Sequence, residues 1–122
     1  MDLRACLETP LTLLPGDMAA VPTGLALALP SADYVALVFS RSGHGFKHGI
    51  TLCNSVGVID ADYRGEIMVG LTNRGTQSFT IDDGDRIAQL AVLPVCRAAV
   101  TWADDLPKSE RGTDGFGSTG DQ

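Results

Sequence analysis

Hydrophobic positions along this chain alternate with polar ones or come in short unbroken runs. Nowhere do they recur at i, i+3, i+4 and i+7 over three turns, the spacing an amphipathic helix needs. Leu3, Ala5 and Leu7 alternate with Arg4, Cys6 and Glu8, and Pro10 and Pro15-Gly16-Asp17 then interrupt the alternation. Residues 18–21 and 24–29 read as short strands broken by Pro22, and residues 30–33 as a turn. The run 34–39 is apolar throughout and rich in β-formers, the pattern of a strand buried on both faces. Residues 50–53 resume strand character. Ile67, Val69 and Leu71 then share one face of a strand while Met68 and Gly70 share the other. Residues 78–81, 86–95 (read as a strand pair) and 98–102 complete the series, with Asp82-Asp83-Gly84-Asp85 as a tight turn. Strands this short, at intervals of about 8–12 residues with Gly or Pro between them, predict an all-β barrel or sandwich.

Composition narrows the class. A chain of 122 residues suits one small domain, and one of that size buries only about two-thirds of its unfolded surface, so association would help stabilise it. The formal net charge of -6 argues against unspecific binding to nucleic acid. A polyphosphate ligand would need local arginines, backbone N–H groups and a divalent cation. Cys6, Cys53 and Cys96 lie far apart among apolar neighbours without metal-ligand spacing, which predicts buried free thiols in a reducing compartment. No basic-then-apolar leader and no membrane-length run is present. The expectation is a soluble cytoplasmic protein.

Three stretches stand apart from the strand pattern. Residues 57–66 read G-V-I-D-A-D-Y-R-G-E, which implies a strand, a tight turn carrying Asp60, Asp62 and Tyr63, and a second strand. That would hold a carboxylate rigidly at the mouth of a β structure, although turn chemistry alone also favours Asp and Gly. Residues 40–49 place Arg41 and Ser42 beside Gly43. This is either a phosphate-binding segment or a helical turn capped by Ser40 with Arg41 in solvent. Residues 111–120 read R-G-T-D-G-F-G-S-T-G, too poor in apolar side chains to pack alone, and so predict a mobile arm. The domain reading is a barrel core over 1–105 and a Gly-rich flexible arm over 106–122.

Together these residues resemble the homotrimeric dUTP pyrophosphatase (dUTPase) family. Its five motifs occur in order: Met1-Asp2-Leu3-Arg4-Ala5, Arg41-Ser42-Gly43 with Gly45, residues 57–66, Gly84-Asp85-Arg86-Ile87-Ala88-Gln89, and residues 111–120. The resemblance implies a jelly-roll-like β-barrel with active sites shared between three subunits. It implies Mg2+-dependent hydrolysis of dUTP to dUMP and pyrophosphate by water attack on the α-phosphate, limiting uracil in DNA and supplying dUMP for thymidylate synthesis. Asp60 would orient and deprotonate the water, and Tyr63 would stack beneath the deoxyribose and exclude a 2′-hydroxyl. Asn54 and the backbone of Val58 and Ile59 would read the uracil edge, with Met68 lining the nucleoside pocket. Arg41, Ser42, Gly43 and Gln89 would hold the phosphates. Arg111, Ser118 and Thr119 would close over the γ-phosphate while Phe116 covers the base. Asp2 would touch Mg2+ through water.

The sequence departs from the family pattern at Ser40, where the family has Pro, at His44, which falls on a variable or apolar position, and at Asp114, which replaces a Gly. Relatives also carry further residues before the first motif, including a strand whose loss would open a sheet edge. Three other readings remain open on sequence grounds: a dCTP deaminase-like enzyme of the same fold, a nucleotide-binding module without turnover, and a plain structural barrel.

Overall fold

Alternating runs become strands where one face can be buried, and register follows from which face that is. The structure, a computed structural model, describes residues 1–113, which form nine strands and one short helix. In chain order these are β1 (Asp2–Arg4), β2 (Leu11–Leu13), β3 (Met18–Pro22), β4 (Tyr34–Ser40), α1 (Ser42–His48), β5 (Ile50–Leu52), β6 (Val56–Ile59), β7 (Met68–Asn73), β8 (Phe79–Ile81) and β9 (Arg86–Pro94). Their antiparallel ladders make three sheets, ordered β1-β9-β4-β6, β3-β7-β5 and β2-β8. The fold is all-β and jelly-roll-like, with the ladders separate and no closed ring among the described residues.

Inward side chains from all three sheets meet in one core. Leu3, Ala36, Val38, Ala88 and Leu90 come from the four-stranded sheet, Val21, Ile50, Leu52, Val69 and Leu71 from the three-stranded one, and Leu13 and Ile81 from the pair. Each fully buried Leu, Ile or Val side chain among these contributes about 1.5–3 kcal/mol. Ile67, Val69 and Leu71 point inward and Met68 outward, as the alternation predicts.

Several local expectations give way to tertiary context. The run 34–39 is buried on one face only: Ala36 and Val38 are covered, Tyr34 and Phe39 are exposed, and Val35 and Leu37 are half-buried. Residues 24–29 join no ladder, because the Thr23 hydroxyl donates to Ile67 O at 2.7 Å and the Glu66 carboxylate accepts from Gly24 N at 2.8 Å. Those bonds turn the chain out of β3. Residues 86–95 contain no turn residue before Pro94 and make one strand, β9, flanked by β1 and β4. Residues 98–102 form no strand, and Val100 and Trp102 are fully exposed. The three free cysteines are exposed, not buried; Cys6, for example, faces outward between inward Ala5 and Leu7. No helix of the described residues is long and apolar enough to cross a membrane.

One junction fixes the position of α1. Its C-terminal cap, Gly49, has φ of 72°, and a Cβ there would fall 2.5 Å from Gly75 N, so only backbone fits between them. Arg74 N donates to Gly49 O at 2.9 Å. Buried Asn73 locks the facing loop by donating to Leu13 O and Gln77 O at 2.9 and 2.8 Å and accepting from Gly75 N at 2.9 Å.

Candidate active site

The acid stretch is not a hairpin. β6 pairs with β4 in one sheet and β7 with β3 and β5 in another, so residues 60–67 cross between sheets. The crossing is held by its own bonds. Tyr63 N donates to Asp60 O at 3.2 Å, Arg64 Nη1 donates to Ala61 O and Tyr63 O at 2.8 and 3.0 Å, and Tyr63 OH donates to Glu66 O at 3.0 Å. Gly65 makes room for the tyrosine, since a Cβ there would lie 2.6 Å from Tyr63 Cζ.

At the seam lies a cleft of about 280 Å³ that gathers Asn54, Val58, Ile59, Asp60, Tyr63 and Met68, six of the nucleoside-side residues expected from the sequence. Leu52, Gly57, Glu66 and Gly70 also line it. The sequence gives Glu66 no site role; its place follows from the bond to Gly24, which no local pattern reveals. Asn54 opens a tight turn in which Val56 N donates to Asn54 O at 2.7 Å and Ser55 adopts φ of 64°. Asp60 is exposed on the rim, where the cleft meets a second one of about 680 Å³.

A second cluster forms around Asp2 at the other end of β4. Arg41 Nε and Arg86 Nη1 stand 3.9 and 3.6 Å from its carboxylate, and Gln89 Nε2 donates to Oδ1 at 3.4 Å. Arg41 is the N-cap of α1 and makes no side-chain cap bond; Ser42 and Gly43 follow in the first turn. Ser40 does not cap the helix, because its Oγ accepts from Leu52 N at 2.9 Å. Nor is Arg41 merely solvated, since Nη1 donates to Arg86 O at 3.1 Å. Arg86 is an addition to the expected set, brought in by the β1–β9 register that sets Asp2 against Gln89. His44 also reaches this cluster, 3.2 Å from Arg41 Nη1, with its pKa lowered first by burial and then by the Arg41 charge.

The structure therefore brings Asp2, Arg41 and Gln89 together, with Ser42 and Gly43 adjacent, and separately brings together the six residues from Asn54 to Met68. Asp2, Arg41, Ser42, Gly43 and Gln89 line none of the three described clefts. Arg111 sits exposed near the end of the described residues. Phe116, Ser118 and Thr119, together with the Asp114 departure, lie outside them.

The dUTPase family model matches residues 1–120. This chain belongs to the dUTPase family. It is 55% identical over 120 residues to the deoxyuridine 5′-triphosphate nucleotidohydrolase of Burkholderia multivorans, covering 98% of this chain and 81% of that protein. The corresponding protein of Paraburkholderia phymatum is 53% identical over the same span. Among solved structures, a single-residue variant of the Staphylococcus bacteriophage 80alpha dUTPase with dUpNHpp superimposes with a TM-score of 0.87. It is 26% identical, covering 98% of this chain and 84% of that one. The dUTPase of Streptococcus mutans superimposes with a TM-score of 0.72 at 30% identity, covering 81% and 80%.

Proposed function

We propose that this dUTPase-family chain hydrolyses dUTP to dUMP and pyrophosphate, with Asp60 as the general base. The observation that carries the reading is the single seam cleft in which Asn54, Asp60, Tyr63 and Met68 converge. Uracil enters between Asn54 and the backbone of Val58 and Ile59, and the deoxyribose rests on the Tyr63 ring, which leaves no room for a 2′-hydroxyl. Asp60 takes a proton from the water as its oxygen bonds to the α-phosphorus, and the bond to the bridging oxygen breaks to release pyrophosphate. A positioned base of this kind contributes about 10²–10⁴-fold in rate; alignment and electrostatic stabilisation supply the rest.

Arg41, Ser42, Gly43 and Gln89 hold the phosphate chain, Arg111, Ser118 and Thr119 close over the γ-phosphate, and Phe116 covers the base. Asp2 sets a single carboxylate beside Arg41 and Arg86, which suits outer-sphere contact with a hydrated Mg2+ carried in on the substrate rather than direct ligation. Mg2+ binds few carboxylates and keeps several waters. Asp2 would hold it through those waters, and when bound it neutralises phosphate charge.

A homotrimer with shared sites completes the proposal. Two observations support it: the phosphate and nucleoside clusters are separate within one chain, and the outer face of β4 and its neighbours is apolar. Register puts Val35 opposite Leu93, Leu37 opposite Val58 and Ala91, and Phe39 opposite Val56, so these side chains share that face. A cytoplasmic location suits three free thiols.

Pyrophosphate release with Mg2+ from dUTP against dTTP, dCTP and UTP tests the activity. Release from dUTP alone is expected, and ammonia from dCTP without pyrophosphate would overturn the reading. Asp60→Asn is expected to lose about 10²-fold or more in kcat while still binding dUpNHpp; unchanged turnover would remove Asp60 from its role.

A further inference from the structure

Arg41 is held by a side chain that takes no part in the proposed reaction. His44 Nε2 lies 3.2 Å from Arg41 Nη1, which also donates to Arg86 O at 3.1 Å. A guanidinium carries only donors, so Nε2 must be the acceptor and the ring must be neutral, with its proton on Nδ1. Nδ1 is buried and has no hydrogen-bond partner among the described residues. Packing sets the ring angle instead. The Phe79 ring of β8 stands edge-on 5.3 Å away, and the same phenyl is 5.1 Å from His48, one turn further along α1. The charged groups facing His44 are Arg41 and His48, with Asp85 and Arg86 from the turn into β9. Three of these four oppose a positive ring, and burial opposes it more strongly than any of them.

We propose that His44 is a positioning residue for Arg41: its neutral ring orients the guanidinium toward the substrate's phosphates, and a proton on the ring abolishes that hold. The proposal rests on the reading that Arg41 binds the triphosphate. With both nitrogens protonated the ring has no acceptor, and two cations face each other. The Asp2 carboxylate, 3.9 Å from Arg41 Nε, is then a competing partner that draws the guanidinium toward the metal-side cluster. The effect belongs to substrate capture, not to the chemical step, because His44 touches neither the seam cleft nor Asp60.

The test compares wild type, His44→Gln, which keeps an acceptor near the Nε2 position but does not titrate, and His44→Leu, which has none. KM and kcat for dUTP are measured from pH 8 to pH 5.5, with melting curves at pH 8 as a folding check. Ionisation of the substrate is common to all three, so each KM is divided by that of His44→Gln. The wild-type ratio is expected to rise as the pH falls below 6.5 toward the lowered pKa of His44, by up to about five- to tenfold when the ring is fully protonated, the size of one hydrogen bond at a part-exposed position. The His44→Leu ratio is expected to be raised by that amount already at pH 8 and to stay flat, with kcat within about twofold throughout. A wild-type ratio that does not change with pH overturns the proposal, even if His44→Leu fails to fold. So does an equal loss of kcat in both variants, which would make His44 a packing residue. Arg41→Ala separates the two levels: an unchanged KM there refutes the phosphate role of Arg41 and takes the proposal with it, whereas a raised KM beside a flat wild-type ratio refutes the His44 role alone.

Discussion

Replacing Gly65 by Ala would perturb the proposed sugar contact by displacing the Tyr63 ring, without replacing any group that makes that contact. The backbone at Gly65 lies outside the left-handed region, so an alanine carries no φ penalty and the effect comes from its Cβ alone. That Cβ would fall 2.6 Å from Tyr63 Cζ and 3.0 Å from Cε2, and closer still to the hydroxyl. Ordinary carbon contacts need about 3.5–4 Å, so the ring must move by roughly 1 Å, breaking the Tyr63 OH bond to Glu66 O. The bond itself is worth only about 0.5–1.5 kcal/mol. The displacement costs more, because roughly 1 Å of misplacement can cost on the order of 10²-fold in rate. Gly65→Ala is therefore expected to lower kcat/KM for dUTP by about 10- to 100-fold and to narrow the preference for dUTP over UTP. Tyr63→Phe removes the bond but leaves the ring, and is expected to cost about tenfold or less. Pyrophosphate release at limiting dUTP and UTP measures both. A Gly65→Ala enzyme with the wild-type dUTP/UTP ratio would show that the ring does not set sugar choice.

Other consequences can be checked by independent means. Asn73→Ala leaves Leu13 O and Gln77 O without their donor and Gly75 N without its acceptor in a fully buried site; a loss of about 3 kcal/mol in urea unfolding is expected. His44 has its pKa lowered in the fold, so the unfolded chain binds the extra proton first and stability falls as the pH drops below about 6.5 toward the folded-state value. Comparing urea midpoints at pH 7.5 and 5.5 should therefore show a larger fall in wild type than in His44→Gln. If sites are shared, mixing Asp60→Asn chains with Arg41→Ala chains through unfolding and refolding restores part of the activity that neither has alone. No recovery would argue for sites within one chain.

What the sequence revealed was local. The alternation of Ile67, Val69 and Leu71 against Met68 maps directly onto the two faces of β7, because strand side chains alternate wherever a single face is buried. The five motifs are likewise short and contiguous. Partner choice was not legible. Nothing between Ile59 and Met68 says that the strands on either side belong to different sheets, since a turn between sheets and a hairpin turn use the same Asp and Gly chemistry. The apolar run of β4 hid a different ambiguity: an unbroken hydrophobic segment reads the same whether its second face meets its own core or is only half-covered. His44 illustrates the limit most clearly. Its acceptor role needs Arg41 on the preceding turn, Phe79 from β8 and the carbonyl of Arg86 on β9, and only the folded chain assembles those three.

Because the seam cleft lies between two sheets, a nucleotide seated in it as proposed becomes a strut. Its upper contacts, Val58 and Ile59, ride on the β4–β6 ladder, and its lower ones, Met68 and Gly70, on the β3–β7–β5 ladder. A bound nucleotide thus resists relative sliding of the layers as a keystone resists the spreading of an arch. Amide protons in both ladders should slow their exchange together on binding, including those in β3 and β5 far from the ligand. The same coupling makes the jaw spacing hostage to remote repacking, so a cavity cut at Val21 or Leu71 would blunt selectivity well before the protein melts.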